Sequence, residues 1–430
     1  MSPRHWRMLG ASGIGWALDA MDVGLISFVI AALAVHWDLG MGERSLIASA
    51  GFAGMALGAV LGGLLADRIG RRQVFALTLL VYGLATGASA LSTGLVMLIV
   101  LRVVVGLGLG AELPVASTLM SEFAPRRIRG RVIVWLEAFW ALGWILAAVV
   151  GTYVVAASDA GWRWALLLGA APALYALVIR WKMPESVRYL ESRGRHEEAE
   201  RTVRALEESA GVPAPSLQEA ARTGTDAGPA AEPAAGRASI WSAALRGRTA
   251  ALWIVWFCVN LSYYGAFIWI PSLLVERGYD LTRSFTFTLI ITLAQLPGYA
   301  VSSWLIEVIG RRWTLCVFLL GSAGSAMLFG VADSPAAIIA AGCLLSFFNL
   351  GAWGALYAIS PEIYPTRVRG TGSGAAAGFG RLASIIAPIM VPVVVAASGI
   401  AAAFGVIAAA FAIAACAAFC LPERRGEALV

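Results

Sequence analysis

Charge is scarce in this chain. Only 13% of its 430 residues are Asp, Glu, Lys or Arg, about half the ~25% of an ordinary soluble domain, which argues against a water-soluble globule of this size. Lysine is nearly missing, with Lys182 the single example among the basic residues. Histidine occurs three times, at His5, His36 and His196; these are scattered, so no zinc site is expected. The five cysteines (Cys258, Cys316, Cys343, Cys416 and Cys420) include no C-x-x-C and all fall in apolar stretches. Cys416 and Cys420 share a helix face, a spacing that suits packing better than a disulfide or a metal. No nucleophile–base or metal cluster appears either, so the chain reads as a non-enzyme with no cofactor and no metal. The short alternating strands of a membrane barrel are also lacking.

Apolar sequence is what the chain has in plenty. Residues are 59% hydrophobic, mean hydropathy is +0.78, and runs of about 18 or more apolar residues recur along the whole length, as in a polytopic helical protein of the lipid bilayer. The runs predict twelve helices over 9–35, 45–66, 73–92, 95–120, 131–156, 163–182, 250–275, 284–308, 313–332, 335–360, 371–396 and 399–421. Arg4 and Arg7 ahead of the first run imitate a signal peptide, but the run continues to about residue 35 and carries Asp19 and Asp22, so it reads as a retained first helix. The expected organisation is a six-helix bundle over 1–182, a linker over 183–249 and a second six-helix bundle over 250–430. Within the linker, 184–209 is charged with helical spacing, a short surface helix. Residues 211–238 are rich in Ala, Gly and Pro and read as a flexible tether.

The two bundles repeat one another at an offset of 240 residues. GGLLADRIGRR (62–72) returns as SSWLIEVIGRR (302–312), carrying Asp67, Gly70, Arg71 and Arg72 onto Glu307, Gly310, Arg311 and Arg312. The same shift takes Glu122, Pro125, Arg127, Arg129 and Gly130 onto Glu362, Pro365, Arg367, Arg369 and Gly370. Paralogous membrane halves with matching charged turns are the mark of a rocking transporter. Arginines crowd the turns after helices 2, 4, 8 and 10 (among them Arg68) and avoid those after helices 3, 9 and 11. Positive charge stays inside, so both termini and the linker are expected in the cytoplasm. The net charge of +6 therefore sets orientation and is no nucleic-acid footprint. An acid beside the Gly-Arg-Arg turn can pair with an arginine in one gate state and release it in another, a conformational latch; the plain alternative is arginines that only hold the loop inside.

Polar residues inside the spans are costly and mark function by default. Arg102 lies deep in helix 4, just before the alternating Gly106, Gly108 and Gly110, which let helices approach or bend; its natural partners are Asp22 or Asp19 in helix 1. Asp19 lies on the face of Asp22 and is either a second proton site or an end-of-helix polar residue. Glu112 reads as structural. Glu137 heads a stripe with Trp140 and Trp144. Helix 7 carries Trp256, Asn260 and Tyr264 at i, i+4 and i+8, with Tyr263 beside them, and helix 10 repeats the pattern with Asn349, Trp353 and Tyr357. Such stripes join flat aromatic faces to amide and hydroxyl groups and suit a planar heteroaromatic solute; core packing or an interfacial belt is the alternative. Gln295, before Pro297 and Gly298, would line a bent segment. Arg381 in GFGRLASIIAP (378–388) is always charged and grips carboxylates with two parallel bonds, so it is the candidate anion clamp, or else an internal partner of Glu137.

GLLADRIGRR and RVVVGLGLGAELP (102–114) resemble the signature segments of the major facilitator superfamily. PESVRYL after helix 6 and LPERR (421–425) after helix 12 resemble its sugar-porter and metabolite-proton-symporter branches. More narrowly, LDAMDVGLISF (18–28), GAELPVASTLMSE (110–122), IVWFCVNLSYYGAF (254–267), LAQLPGYAVSSWLIE (293–307) and LLSFFNLGAWGALYA (344–358) resemble the bacterial niacin transporter group, distant kin of synaptic-vesicle and organic-anion transporters. The resemblance spans nearly the whole chain outside the tether. It implies a monomeric inner-membrane carrier that imports nicotinate, or a related small aromatic carboxylate, with protons. Sugar porters pair residues at the positions of Asp22 and Arg102, which implies proton coupling there. They place a substrate-contacting glutamine where Glu137 stands, and organic-anion transporters carry an arginine in the setting of Arg381. The rival readings are a benzoate-like acid, a sugar or an exported drug as solute, or a sensor that binds without transport.

Overall fold

The computed structural model describes residues 2–124, 129–211, 239–365 and 368–423. Its elements are α1 (Pro3–His36), α2 (Met41–Ile69), α3 (Arg71–Ser89), α4 (Leu95–Phe123), α5 (Arg129–Tyr153), α6 (Gly161–Leu168), α7 (Ala171–Lys182), α8 (Val187–Ser192), α9 (His196–Ser209), α10 (Arg246–Phe267), α11 (Ile270–Glu276), α12 (Leu281–Leu293), α13 (Gln295–Ile309), α14 (Arg311–Val331), α15 (Pro335–Ile359) and α16 (Arg369–Phe419). Among the described residues this makes twelve crossings, and the chain is a multi-pass membrane protein of all-α class. Where single helices were expected, the structure breaks three. The sixth crossing is α6 plus α7, the seventh α10 plus α11, and the eighth α12 plus α13. Each break lies just before a proline in the first turn of the following helix or close to it (Pro172, Pro271, Pro297), because proline cannot donate to the preceding turn. The last two crossings form one unbroken run of helix except at Gly399, whose φ of 82° turns the chain. The expected surface helix of the linker is in fact two, α8 and α9. α9 is laced on its exposed face by Arg201–Glu197 and Arg204–Glu200 pairs at i,i+4 spacing. The tether lies outside the described residues.

Within the first half, α2 packs on α4, α1 on α5, and α3 on both α4 and α7; in the second, α10 packs on α16, α14 on α15 and α16, and α13 on α15. Glycine explains the closest of these contacts. A methyl at Gly106 would collide with the carbonyl of Gly51, and one at Gly110 with the carbonyl of Met55, while Gly108 turns to Tyr82 of α3. The alternating glycines of α4 therefore serve two neighbours at once, in the manner of small-residue membrane interfaces. Outside the bundles, Leu57, Val60, Leu61, Leu64 and Leu174 are exposed, as a lipid-facing surface requires. Trp181, Trp304 and Trp313 are exposed too; they form the aromatic belt that the stripe tryptophans do not. Cys416 and Cys420 are also exposed, so they face outward rather than packing as expected.

The halves meet mainly through α2 against α16, α5 against α12 and α1 against α11. At the end opposite the linker, Arg44 Nη1 donates to Glu276 Oε1 at 2.8 Å across the halves. Deeper in, Phe28 meets Phe285 edge-on at 5.0 Å and Ser49 Oγ donates to the Ile385 carbonyl at 3.1 Å. These contacts shut the end away from the linker. Glu276→Gln is expected to raise labelling of a cysteine placed at Ser49, in a background stripped of native thiols, by up to about fivefold, since a partly exposed ion pair is worth about 0.2–1 kcal/mol. The exchanged pair Arg44→Glu/Glu276→Arg should restore it. Unchanged labelling in Glu276→Gln would show that the pair does not hold this gate.

Candidate functional site

A cavity lies between the halves, walled by Trp16 (α1), Glu137 and Trp140 (α5), Tyr264 (α10), Tyr299 (α13), Trp353 and Tyr357 (α15), and Arg381 (α16). Six helices from both bundles thus converge on one space. The guanidinium of Arg381 donates from Nη1 to the Tyr264 hydroxyl at 3.2 Å and lies near enough to Glu137 for the charges to attract. Aromatic rings fill most of the remaining wall. Trp353 stacks on Tyr357 with centroids 5.7 Å apart, and Trp256 packs edge-on against both from behind while its indole N–H donates to Ser360 Oγ at 3.0 Å. Trp140 is held by a 3.1 Å bond from its indole N–H to the Tyr263 hydroxyl. The indole N–H groups of Trp16 and Trp353 have no acceptor. A buried donor without a partner is costly, so the cavity offers two donors and a guanidinium to a solute rich in acceptors.

Of the residues expected at the site, Arg381, Glu137, Trp140, Tyr264, Trp353 and Tyr357 line the cavity. Asn260, Tyr263, Asn349 and Gln295 do not. Asn260 is committed elsewhere: its amide donates to the Trp256 carbonyl at 2.8 Å and its oxygen accepts from Ser384 Oγ at 3.1 Å, joining α10 to α16. Tyr263 stands behind the wall, packed between Trp144 and Trp353. Asn349 and Gln295 are fully buried one turn beyond Trp353 and Tyr299, with amide groups that have no partner. Trp16 and Tyr299 escaped the sequence reading. Their signal was helical spacing, since Trp16 precedes Asp19 by three residues and Tyr299 follows Gln295 by four.

A second polar group lies inside the first half. Arg102 Nη1 donates to Asp22 Oδ2 at 3.1 Å, and Thr86 Oγ1 donates to Asp22 Oδ1 at 2.5 Å. Arg102 is 3% exposed and Asp22 1%, so the pair is shut off from water. Asp19 does not join it.

At the linker end, Gly70 and Gly310 take φ of 103° and 92°, a region closed to most side chains, and open α3 and α14. The Glu185 carboxylate accepts from the Arg72 backbone N–H at 3.1 Å, and Glu423 accepts from those of Arg311 and Arg312 at 3.3 and 3.0 Å. Acids thereby cap both helix N-termini, where negative charge is favoured. Both follow a proline after the last helix of their half, a correspondence the sequence reading passed over. Arg311 also donates from Nε to Glu362 at 3.2 Å and lies 4.0 Å from Glu307, so Glu307, Gly310, Arg311 and Glu362 form one cluster. In the first half Arg68, Arg71 and Arg72 stand at the equivalent turn; the side chains of Asp67, Glu122, Arg129 and Arg369 lie outside the described residues.

The model of the family described as "Sugar (and other) transporter" matches residues 20–429. A niacin transporter of Acinetobacter baylyi is 47% identical over 90% of this chain and 86% of its own. A Bacillus subtilis protein provisionally named a niacin/nicotinamide transporter is 48% identical over 90% of this chain and 87% of its own. Among solved structures, the xylose transporter XylE of E. coli in a partially occluded inward-open conformation superposes with a TM-score of 0.80 over 100% of both chains at 18% identity, a likeness of fold alone. The chain therefore belongs to the sugar (and other) transporter family of the major facilitator superfamily and is a transporter rather than an enzyme.

Proposed function

We propose that this protein imports nicotinate across the bacterial inner membrane by alternating access, driven by protons, as a monomer with both termini and the linker in the cytoplasm. The observation that carries the reading is a cavity between the halves in which one guanidinium, Arg381, meets stacked aromatic faces and two unspent indole donors. Nicotinate is flat, with a carboxylate at one end and an acceptor nitrogen in the ring. Arg381 takes the carboxylate through charge-assisted bonds; Trp353, Tyr357 and Trp140 flank the ring; Trp16 or Trp353 donates to an acceptor. Glu137 balances Arg381 in the empty site and gives it up, protonated, when the anionic solute arrives. The names of the two bacterial relatives support the choice of solute, and closure at the end away from the linker supports a state open or opening to the cytoplasm.

Nicotinate uptake into proteoliposomes is expected to rise with an inward proton gradient. Benzoate is expected to compete more strongly than nicotinamide, because the clamp reads the carboxylate before the ring nitrogen. Nicotinamide competing as well as nicotinate itself would overturn the carboxylate reading, and uptake indifferent to the gradient would overturn the coupling.

A further inference from the structure

Besides Glu137 in the cavity wall, three carboxyls are buried in the first half, and one guanidinium answers them. Asp22 has Arg102 and Thr86. Asp19 is 1% exposed and Glu112 0% exposed, and no oxygen of either accepts a hydrogen bond. The two approach each other: Glu112 projects from α4 to the backbone of α1 at Gly15, where an added methyl would sit 3.0 Å from its Oε1, and Asp19 stands one turn further along α1, facing both Glu112 and Tyr82. The Tyr82 hydroxyl, on a side chain 0% exposed, has no partner of its own and is turned toward Asp19. Two ionised carboxylates side by side, out of water and without a cation, repel each other and bear the desolvation of both. One proton between them removes the repulsion and supplies a hydrogen bond.

We propose that Asp19 and Glu112 form a second proton-binding site of the first half, a carboxyl pair holding one shared proton, distinct from Asp22 and from the solute cavity. The groups that face it are Asp22 on α1, which holds Thr86 and Arg102, Thr78 and Tyr82 on α3, and Tyr175 on α7, whose hydroxyl is held by the Ala11 carbonyl at 2.8 Å. Thr78, Tyr82 and Thr86 lie at i, i+4 and i+8 on α3, so they rise beside Glu112, Asp19 and Asp22 in turn. The pair stands on the linker side of Asp22. That column is polar from end to end and separate from the cavity wall, which gives Asp22 a neighbour able to take or give a proton without passing the solute. The inference does not depend on which solute the cavity binds.

Infrared difference spectroscopy of the full-length purified protein, read at the carbonyl stretch of protonated carboxylic acids at neutral pH, tests it. Glu112→Gln and Asp19→Asn are each expected to keep one protonated carboxyl with its band shifted, because the acid left behind is still buried without a cation, and the double variant is expected to remove that one signal and no more. Tyr82→Phe leaves both acids in place and covers the case in which those variants fold poorly; it should shift the band and keep its area. Two carboxyls lost in the double variant would mean independent acids and would overturn the shared proton. No loss in the double variant, or a Tyr82→Phe band that does not move, would overturn the site.

Discussion

Arg381→Ala is expected to abolish nicotinate uptake. Removing one partner of a hydrogen-bonded charge pair in a shut cavity costs about 2–5 kcal/mol, which is roughly 30- to 5,000-fold in affinity. Arg381 is the only guanidinium in the cavity wall among the described residues, so nothing nearby replaces it. Its removal also leaves Glu137 without the charge that offsets it, and an anionic solute then meets a carboxyl and no cation. Arg381→Lys keeps the charge but not the planar two-point grip; it should retain weak binding and lose most discrimination between nicotinate and nicotinamide. Equilibrium binding and proteoliposome uptake measured together separate a lost clamp from a stalled carrier. Wild-type binding in Arg381→Ala would remove the anion clamp from the mechanism.

The place of Arg381 in the cavity wall was legible in the sequence because an arginine inside an apolar span has few roles. The same logic exposed Arg102, and the offset repeat exposed the two halves. What stayed hidden was the rotation of each helix about its axis. Asn260 and Tyr264 stand one turn apart on α10, yet the first faces α16 and the second the cavity. Spacing places both on one stripe; the contact between Ser384 and Asn260 decides which part of the stripe is spent on packing. Trp16 was overlooked for the converse reason. Its neighbourhood on α1 is dominated by Asp19 and Asp22, and only the approach of the second half makes its ring part of a wall. The helix breaks depended on prolines that were visible, but a proline in a membrane helix is tolerated wherever neighbours satisfy the freed carbonyls, so sequence alone does not separate a bend from a break.

Asp22→Asn is expected to leave nicotinate exchange intact and to abolish accumulation against a gradient. Asparagine resembles the protonated acid: it keeps the size and the bond with Thr86 but withdraws the charge that holds Arg102. The guanidinium then has somewhere to go. Its Nε has no partner, and beside it lies a small space lined by Gly51, Phe52 and Met55. Phe52 is also the contact across the halves, its ring 4.6 Å from that of Tyr264, and the Tyr264 hydroxyl receives the bond from Arg381. The surroundings of Arg102 and the cavity arginine Arg381 are thus joined through the packed rings of Phe52 and Tyr264. A swing of Arg102 into that space is therefore expected to reach the cavity wall through Phe52. A carrier that moves one proton per solute accumulates about tenfold per pH unit of gradient, since each unit is worth 2.303RT; Asp22→Asn should accumulate nothing while exchanging labelled for unlabelled nicotinate at a rate comparable to the parent. Phe52→Ala should lower accumulation and leave both the Asp22–Arg102 pair and the clamp in place. Full gradient-driven accumulation by Asp22→Asn would mean that the coupling proton resides elsewhere, and exchange lost together with accumulation would mean that the ion pair holds the bundle together instead of sensing the proton.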